Sequence, residues 1–537
     1  MRLRKILPNF PPCHRLVRNE RGWGRRCLRA GVLVVALLAV VTAVPFAASS
    51  AEPFFEISSI PNADRSAAVN MADLNGNGRI DLLVVVMRGL PPEEEREARI
   101  HFQSEQGTFS PQPDYVRAIP TGASVYDLAD VRSDSPGSEL ILLRPGGLTL
   151  LSLASKSAPR WDLEVSGPAT AGIGDDERGF EYFKMVQDGF GDEPVLFVQQ
   201  IGQLTILTPK GEVRGQMQIP RRANYLIIPT GGLISIESNF QIFLDVPKIL
   251  LGDIDGDGLT DLAVATRHEV DTYLQREGGH FPNVADRKQA LRLITKEDHI
   301  RGSGGVTADV GDVNGDGRID LLLSYAKGGF RNTETLTYYY QNRDGGWAIG
   351  EPDHTFRSDA SLASNALVDL DNDGRMEMVR LELDFSLLEL IEILLSREFD
   401  VEVSVFDFDG SSGFKAKAAS KKKIELPFST ATFRLKGFFP SVRADLNGDG
   451  YQDFVTSGEG DELSFQPGGP KGPFASRRVR QKMSTERMIH FSDWSGDGLT
   501  DLVIFDPQRY AIPISIVRNL GRLPGTPEAL QGAVHDR

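Results

Sequence analysis

The chain has 537 residues and carries 74 Asp and Glu against 59 Lys and Arg, a net charge of −15. An acidic chain without a basic stripe repels phosphate, which argues against a nucleic-acid partner. Its two cysteines, Cys13 and Cys27, both lie near the N-terminus, so no disulfide framework braces the remainder.

The first segment reads as an export signal. Nine basic residues (Arg2, Arg4, Lys5, Arg15, Arg18, Arg21, Arg25, Arg26 and Arg29) precede an apolar run over 30–44, and small residues follow to Ala51. A basic region, an apolar core and a small-residue site make a secretory signal peptide over 1–51, with a core shorter than the ~20 residues a spanning helix needs. Arg25-Arg26 fits twin-arginine export only loosely, so both export routes stay open. The expected location is periplasmic or extracellular, with no stable membrane span after cleavage. Removing 1–51 takes away nine Lys/Arg and one Glu, leaving 50 basic against 73 acidic residues and a charge of −23.

Pro53–Ile60 then reads as a strand with no repeat of its own. After it, a nine-residue pattern, D-x-[D/N/S]-x-[D/N]-G-x-x-[D/E], occurs six times. Its oxygen-bearing residues are Asp73, Asn75, Asn77 and Asp81; Asp253, Asp255, Asp257 and Asp261; Asp312, Asn314, Asp316 and Asp320. The later copies supply Asp369, Asp371, Asp373 and Glu377; Asp445, Asn447, Asp449 and Asp453; Asp493, Ser495, Asp497 and Asp501. Oxygen ligands at loop positions 1, 3, 5 and 9, with glycine at 6 for a sharp turn, suit a hard cation such as Ca2+; the position 7 carbonyl (Leu259 in the second copy) would add one more. The pattern therefore predicts up to about six calcium ions. An EF-hand is excluded, because position 12 is Val84, Val264, Leu323, Arg380, Thr456 or Ile504 rather than a glutamate. Short apolar runs such as Leu82–Val86 and Leu502–Phe505 follow the loops, which places each loop between two strands.

Two worn copies fill the long gap between Asp73 and Asp253. Asp130, Asp134 and Glu139 precede one apolar strand; Asp188, Asp192 and Glu193 precede another. Both are read as repeats that kept the turn and lost the ion. With about four strands per repeat, the period predicts an all-β, eight-bladed propeller over 52–522, or seven blades if one worn copy is an insertion. The last repeat lacks a fourth strand, and the N-terminal strand is expected to supply it.

Two features interrupt the pattern. The step from Asp369 to Asp445 contains 386–398, where Leu387, Leu388, Ile391, Leu394 and Leu395 recur at helical spacing. An inserted helix is expected there, either as a cap on a blade or the channel or as a docking element. Lys415, Lys417, Lys421, Lys422 and Lys423 follow and are read as a solvated hairpin tip rather than a site for anionic polysaccharide or lipid headgroups. Residues 523–537 form a C-terminal tail.

The six loops resemble the FG-GAP and VCBS repeats, the calcium-loop propellers related to integrin α-subunit heads, although no Phe-Gly opening precedes each loop. That resemblance implies the propeller and its calcium. It leaves the activity open, since such rings serve as adhesion modules, carbohydrate-binding domains and, in eight-bladed form, rhamnogalacturonan lyases. Among catalytic signals, the scattered histidines form no H-E-x-x-H and no nucleophile elbow is present. The expectation is a monomeric, non-catalytic module binding a protein or a glycan; the alternative is a polysaccharide lyase or hydrolase on the same ring.

Overall fold

The computed structural model describes residues 53–531, apart from 91–92, 121, 170–179, 192, 230–237, 302–303, 328–333, 361, 384–397, 411–412, 430–433, 436–437, 439, 458–461, 471, 475 and 484–487. The presequence and most of the expected helix over 386–398 lie outside these residues. Of that helix only Glu398 is described, and it opens the strand Glu398–Phe406. No helix among the described residues is long and apolar enough to cross a membrane.

Eight antiparallel sheets follow one another along the chain, each a four-stranded blade or a blade with one extra short strand. Their first strands are Arg65–Ala72, Val125–Ala129, Val186–Gln187, Ile249–Gly252, Gly305–Gly311, Leu362–Val368, Ser441–Ala444 and Met488–Ser492, which define blades 1 to 8. The ring closes as the sequence predicts. Phe55–Ile60 pairs antiparallel with Ile514–Asn519 and becomes the outer, fourth strand of blade 8, which covers the edge that Ile514–Asn519 would otherwise expose. One element was not foreseen: Arg222–Pro229 and Ser238–Asp245 form a two-stranded hairpin between blades 3 and 4. Glu181–Tyr182 pairs parallel with Val125–Tyr126 and adds a fifth strand to blade 2.

The apolar runs after each loop explain where the core sits. Every residue of Asp81–Met87 is buried, so both faces of this second strand are covered. Leu83, Val85 and Met87 pack into a cluster shared with blade 2, whereas Leu82, Val84 and Val86 pack into one shared with blade 8. The same division recurs around the ring. Eight clusters of described residues fill the eight seams between neighbouring blades. A strand buried on both faces reads as a continuous apolar run, which is why alternation is missing from these segments.

The lysine run differs from expectation. Lys421, Lys422 and Lys423 lie within the strand Ser420–Ser429 rather than at a hairpin tip. Lys421 pairs with Glu402 at 2.5 Å, Lys423 with Asp400 at 2.6 Å and Lys415 with Asp407 at 2.9 Å. Lys422 turns the other way, over the rings of Phe454 and Phe474. Burial pushes its ammonium down to about 8, with the charge of Arg478 adding to the shift.

Candidate functional site

Each acidic loop joins the first and second strands of its blade. The position 1 carboxylate organises the turn. Asp253 accepts the Gly256 N–H at 2.6 Å through Oδ1 and the Gly258 N–H at 2.8 Å through Oδ2. Asp73, Asp312, Asp445 and Asp493 hold the glycines of their own loops in the same way. In the fourth copy Asp369 holds Gly374. Two backbone positions need the left-handed region. Position 6 is glycine in all six copies, and Gly258 sits at φ +83°. Position 4 carries φ between +60° and +84° in the six loops and is glycine in five; the sixth is Asn372, the residue type that tolerates this region next best.

Positions 3 and 5 turn inward over the loop. The position 5 side chains of Asn77, Asp257, Asp316, Asp373, Asp449 and Asp497 each accept the N–H of position 7, which orients that peptide. Asn75, Asp255, Asn314 and Asn447 each accept the position 5 N–H. Asp371 is exposed, and the Ser495 hydroxyl is buried with no hydrogen-bond partner among the described residues. The structure brings one carboxylate oxygen each from Asp253, Asp255 and Asp261 within 4.8 Å of one another, and does the same for Asp369, Asp371 and Asp373.

The position 9 acid has a second role that the motif does not reveal. Asp81, Asp261, Asp320, Asp453 and Asp501 are fully buried. In four of them one oxygen takes the N–H of position 2 (Leu74, Ile254, Val313 or Leu446), while Asp501 takes that of Ser495. The other oxygen takes an N–H at or just past the end of the third strand, from Gln103, Gln275, Asn342, Gly468 or Asn519. Glu377 holds Leu370 in the same manner. This acid therefore staples the loop, the second strand and the third strand of its blade. A carboxylate has about four lone-pair sites, so it retains capacity for a cation after these bonds.

Burial carries a cost. Desolvation pushes the carboxyls of Asp261 and Asp320 up to about 6, and those of Glu377, Asp453 and Asp501 up to about 7, against the backbone hydrogen bonds that hold them down. One carboxylate oxygen, Asp369 Oδ1, is buried with no hydrogen-bond partner among the described residues, as is Asp497 Oδ2, which has only the Arg518 guanidinium 3.8 Å away. Buried acceptors of this kind ordinarily find a partner. An all-oxygen donor set that is short of positive charge fits a hard divalent cation.

The worn loop of blade 2 solves the same problem differently. Arg132 stands at its third position and donates to both oxygens of Asp134, at 2.9 and 2.8 Å. It also donates to the Pro209 carbonyl at 2.7 Å and lies 4.2 Å over the Trp161 ring. A tethered guanidinium thus occupies the acidic turn. Glu139 keeps the staple by accepting the N–H groups of Val131 and Arg132. The loop half of the staple persists although position 3 has become arginine, while Glu139 Oε1 is buried with no hydrogen-bond partner among the described residues. Of the blade 3 copy, Asp192 lies outside the described residues, and Glu193 stands 3.6 Å from Arg214.

Neighbouring loops are tied to one another around the ring. The Ile319 N–H donates to the Asp253 carbonyl, that of Met376 to Asp312, and that of Ser138 to Asp73. Amide side chains clasp the same seams: Asn342 Nδ2 donates to the Ile254 carbonyl of blade 4 at 2.7 Å and to Ile319 at 3.1 Å. Asn519 bridges to Leu446 and Thr500, and Gln103 reaches Trp494 across the closing seam. Replacing Asn342 by Ala orphans the Ile254 carbonyl in a buried seam, while Ile319 keeps the indole N–H of Trp347, and a loss of about 1–3 kcal/mol is expected in urea denaturation. Wild-type stability in that variant would show that the clasp is idle.

The remaining sequence signals do not converge on a reactive group. His101 is buried, its Nδ1 2.9 Å from the Ser110 carbonyl, and His490 stacks on Phe505. Desolvation holds both imidazoles below their usual range. The C-terminal tail packs on the loops of blades 7 and 8: Pro524 accepts a bond from Asn447, and Leu530 sits against Gly448 and Gly498.

The FG-GAP-like repeat model matches residues 253–323 and 312–379. No curated protein matches the chain in sequence. Solved structures with a similar fold include an Agrocybe aegerita lectin described by its specific recognition of non-reducing terminal N-acetylglucosamine, at 14% identity over 85% of this chain and 86% of that one, with a TM-score of 0.35. Chaetomium thermophilum Sqt1 is 10% identical over 87% of this chain and 99% of its own, with a TM-score of 0.41. The Dos1 propeller is 10% identical over 87% and 95%, with a TM-score of 0.33.

Proposed function

We propose that this chain, an eight-bladed β-propeller with FG-GAP-like repeats, is an exported, calcium-stabilised and non-catalytic module that binds a protein or a carbohydrate. The observation that carries the calcium reading is the set of buried, charge-deficient carboxylates repeated at one turn in six of the eight blades. Asp253, Asp255 and Asp261, and likewise Asp369, Asp371 and Asp373, would hold an ion through oxygens that already converge. The corresponding residues of the other four loops offer the same donor types. A bound divalent ion would supply positive charge at the seam between loops, which is an architectural role. Blades 2 and 3 would go without, since Arg132 already fills one of those turns.

Binding rather than turnover is supported by how the acids are used. The buried position 9 carboxylates hold backbone N–H groups in the ring's own joints, and of the histidines with a resolved shift His101 is buried and His490 half-buried within its blade. Export is supported by the basic region and apolar core of the presequence. A glycan array with the calcium-loaded protein, paired with an absorbance assay for unsaturated uronate products, tests the reading. Retention of a glycan with no product is expected. Product formation would establish the lyase alternative instead.

A further inference from the structure

The acidic turn of blade 8 differs from its five counterparts in how its position 5 acid is placed. Asp497 is 8% exposed, whereas Asn77, Asp257, Asp316 and Asp373 are exposed and Asp449 is half-buried. Its Oδ1 accepts the Leu499 N–H at 3.1 Å, and its Oδ2 is the orphaned acceptor noted above. The guanidinium of Arg518 stands 3.8 Å from that oxygen, and Arg518 Nε is itself buried with no hydrogen-bond partner among the described residues. Arg518 comes from the third strand of the blade, one residue before Asn519, whose N–H holds Asp501. The residues at the same place in blades 1, 4, 5 and 7 are Phe102, Leu274, Gln341 and Pro467, none of them charged. Position 3 is distinct as well. Ser495 offers a neutral hydroxyl where the other five loops carry Asn or Asp.

We infer that Arg518 is a built-in counter-cation of the blade 8 turn, which compensates Asp497 in the absence of an ion and competes with calcium for that carboxylate. A buried carboxylate without a matching charge is costly, and here the fold itself brings the matching charge. The worn turn of blade 2 shows the completed form of this arrangement. There Arg132 replaces the position 3 ligand and binds both oxygens of Asp134, the position 5 acid of that turn. Blade 8 lies part-way, with position 3 reduced to serine and a guanidinium beside the position 5 acid. Blade 5 has a pair that looks alike, Arg318 and Asp316 at 3.2 Å, but these side chains are 31% and 30% exposed and part into water at little cost. Three acids and one guanidinium leave the blade 8 turn at −2, against −4 for the four acids of blade 4 or of blade 6. Calcium affinity follows the charge count of a loop, so blade 8 takes its ion less tightly than those two. Among the described residues Asp497 is the acid paired with Arg518, although Glu56 of the closing strand stands opposite Arg518 in the ladder. Calcium withdrawal therefore leaves the closing blade with its charge still compensated.

This role for Arg518 rests on the calcium reading proposed above and is tested apart from it. Terbium is a hard, oxygen-seeking stand-in for calcium that luminesces when excited through a nearby indole, and Trp494 occupies position 2 of this loop. Titrate terbium into the calcium-free full chain and take the part of the signal that Trp494→Phe removes. Arg518→Gln is expected to lower its midpoint at least about tenfold, and Arg518→Lys, which keeps the charge, to stay near the parent value. Melting gives a readout of opposite sign. In chelator Arg518→Gln is expected to melt about 2–4 °C below the parent, and in millimolar calcium to recover most of that gap. An unchanged or raised terbium midpoint in Arg518→Gln would overturn the counter-cation and leave the calcium reading standing, as would an equal melting gap in both media. Absence of any Trp494-dependent signal would take the ion out of this blade and sink the competition with it, while calcium-dependent melting of the parent would still report on the other five loops.

Discussion

A chain that lacks residues 53–60 is expected to aggregate or to melt without a cooperative transition, because the ring then has no fourth strand in blade 8. The strand Phe55–Ile60 forms a six-residue ladder with Ile514–Asn519. It buries Phe55 at 2% and Ile60 at 4% exposure, in the two clusters that flank blade 8. Each side chain contributes about 1.5–3 kcal/mol of burial, and each ladder bond about 0.5–1.5 kcal/mol. The sum is on the order of 5–10 kcal/mol, comparable to the whole stability of a typical domain. The deletion also exposes Ile514–Asn519 as an unpaired edge, the feature that promotes association between chains. Gel filtration and near-ultraviolet circular dichroism read the outcome. A monomer that melts sharply at the parent temperature would show that closure is dispensable. The point variant Phe55→Ala tests the packing share alone, with an expected cost of about 3–5 kcal/mol.

Withdrawing calcium is expected to have an effect of similar size if the loops hold ions. For extracellular-type sites with Kd ~10⁻⁴ M in ~1 mM calcium, each contributes about 1.4 kcal/mol through mass action. Six independent sites would contribute about 8 kcal/mol. For a chain of this length the unfolding entropy is of order 1 kcal/mol per degree, so a chelator should lower the melting temperature by about 8 °C. Scanning calorimetry with calcium and with chelator decides the matter, and equal temperatures would remove calcium from the account. Asp369→Asn alone should abolish only a fraction of the shift, because its loop is one of six.

Much of this architecture is legible in the sequence, and the reasons are physical. The acidic loop must satisfy ligand chemistry and a left-handed turn within nine residues, so it leaves a dense local pattern. The second strands are buried on both faces and therefore appear as unbroken apolar runs. Even the closing strand is readable, as Pro53–Ile60 without a blade and a last blade without its fourth strand. What stayed hidden depends on contacts between segments whose separation varies. Asn342 and Asn519 clasp their seams from different offsets after their loops, because the intervening hairpins differ in length, and no spacing rule marks them. The staple role of Asp81 and its equivalents was masked by the ligand role assigned to the same residue. A closer signal existed in Glu139, an acid kept one residue beyond position 9 in a loop whose third position is Arg132.

The seam clusters carry a consequence for the order in which the molecule can be made. Since each blade lends one face of its second strand to the blade before and the other to the blade after, no blade completes a core alone. The first strand to leave the ribosome after residue 52 pairs with Ile514–Asn519, near the other end of the chain. The last joint must then wait for synthesis to finish, and a contact of that separation is slow to form. Until it does, the growing chain presents an arc with two unfinished ends, and its time in that state sets its exposure to chaperones and proteases.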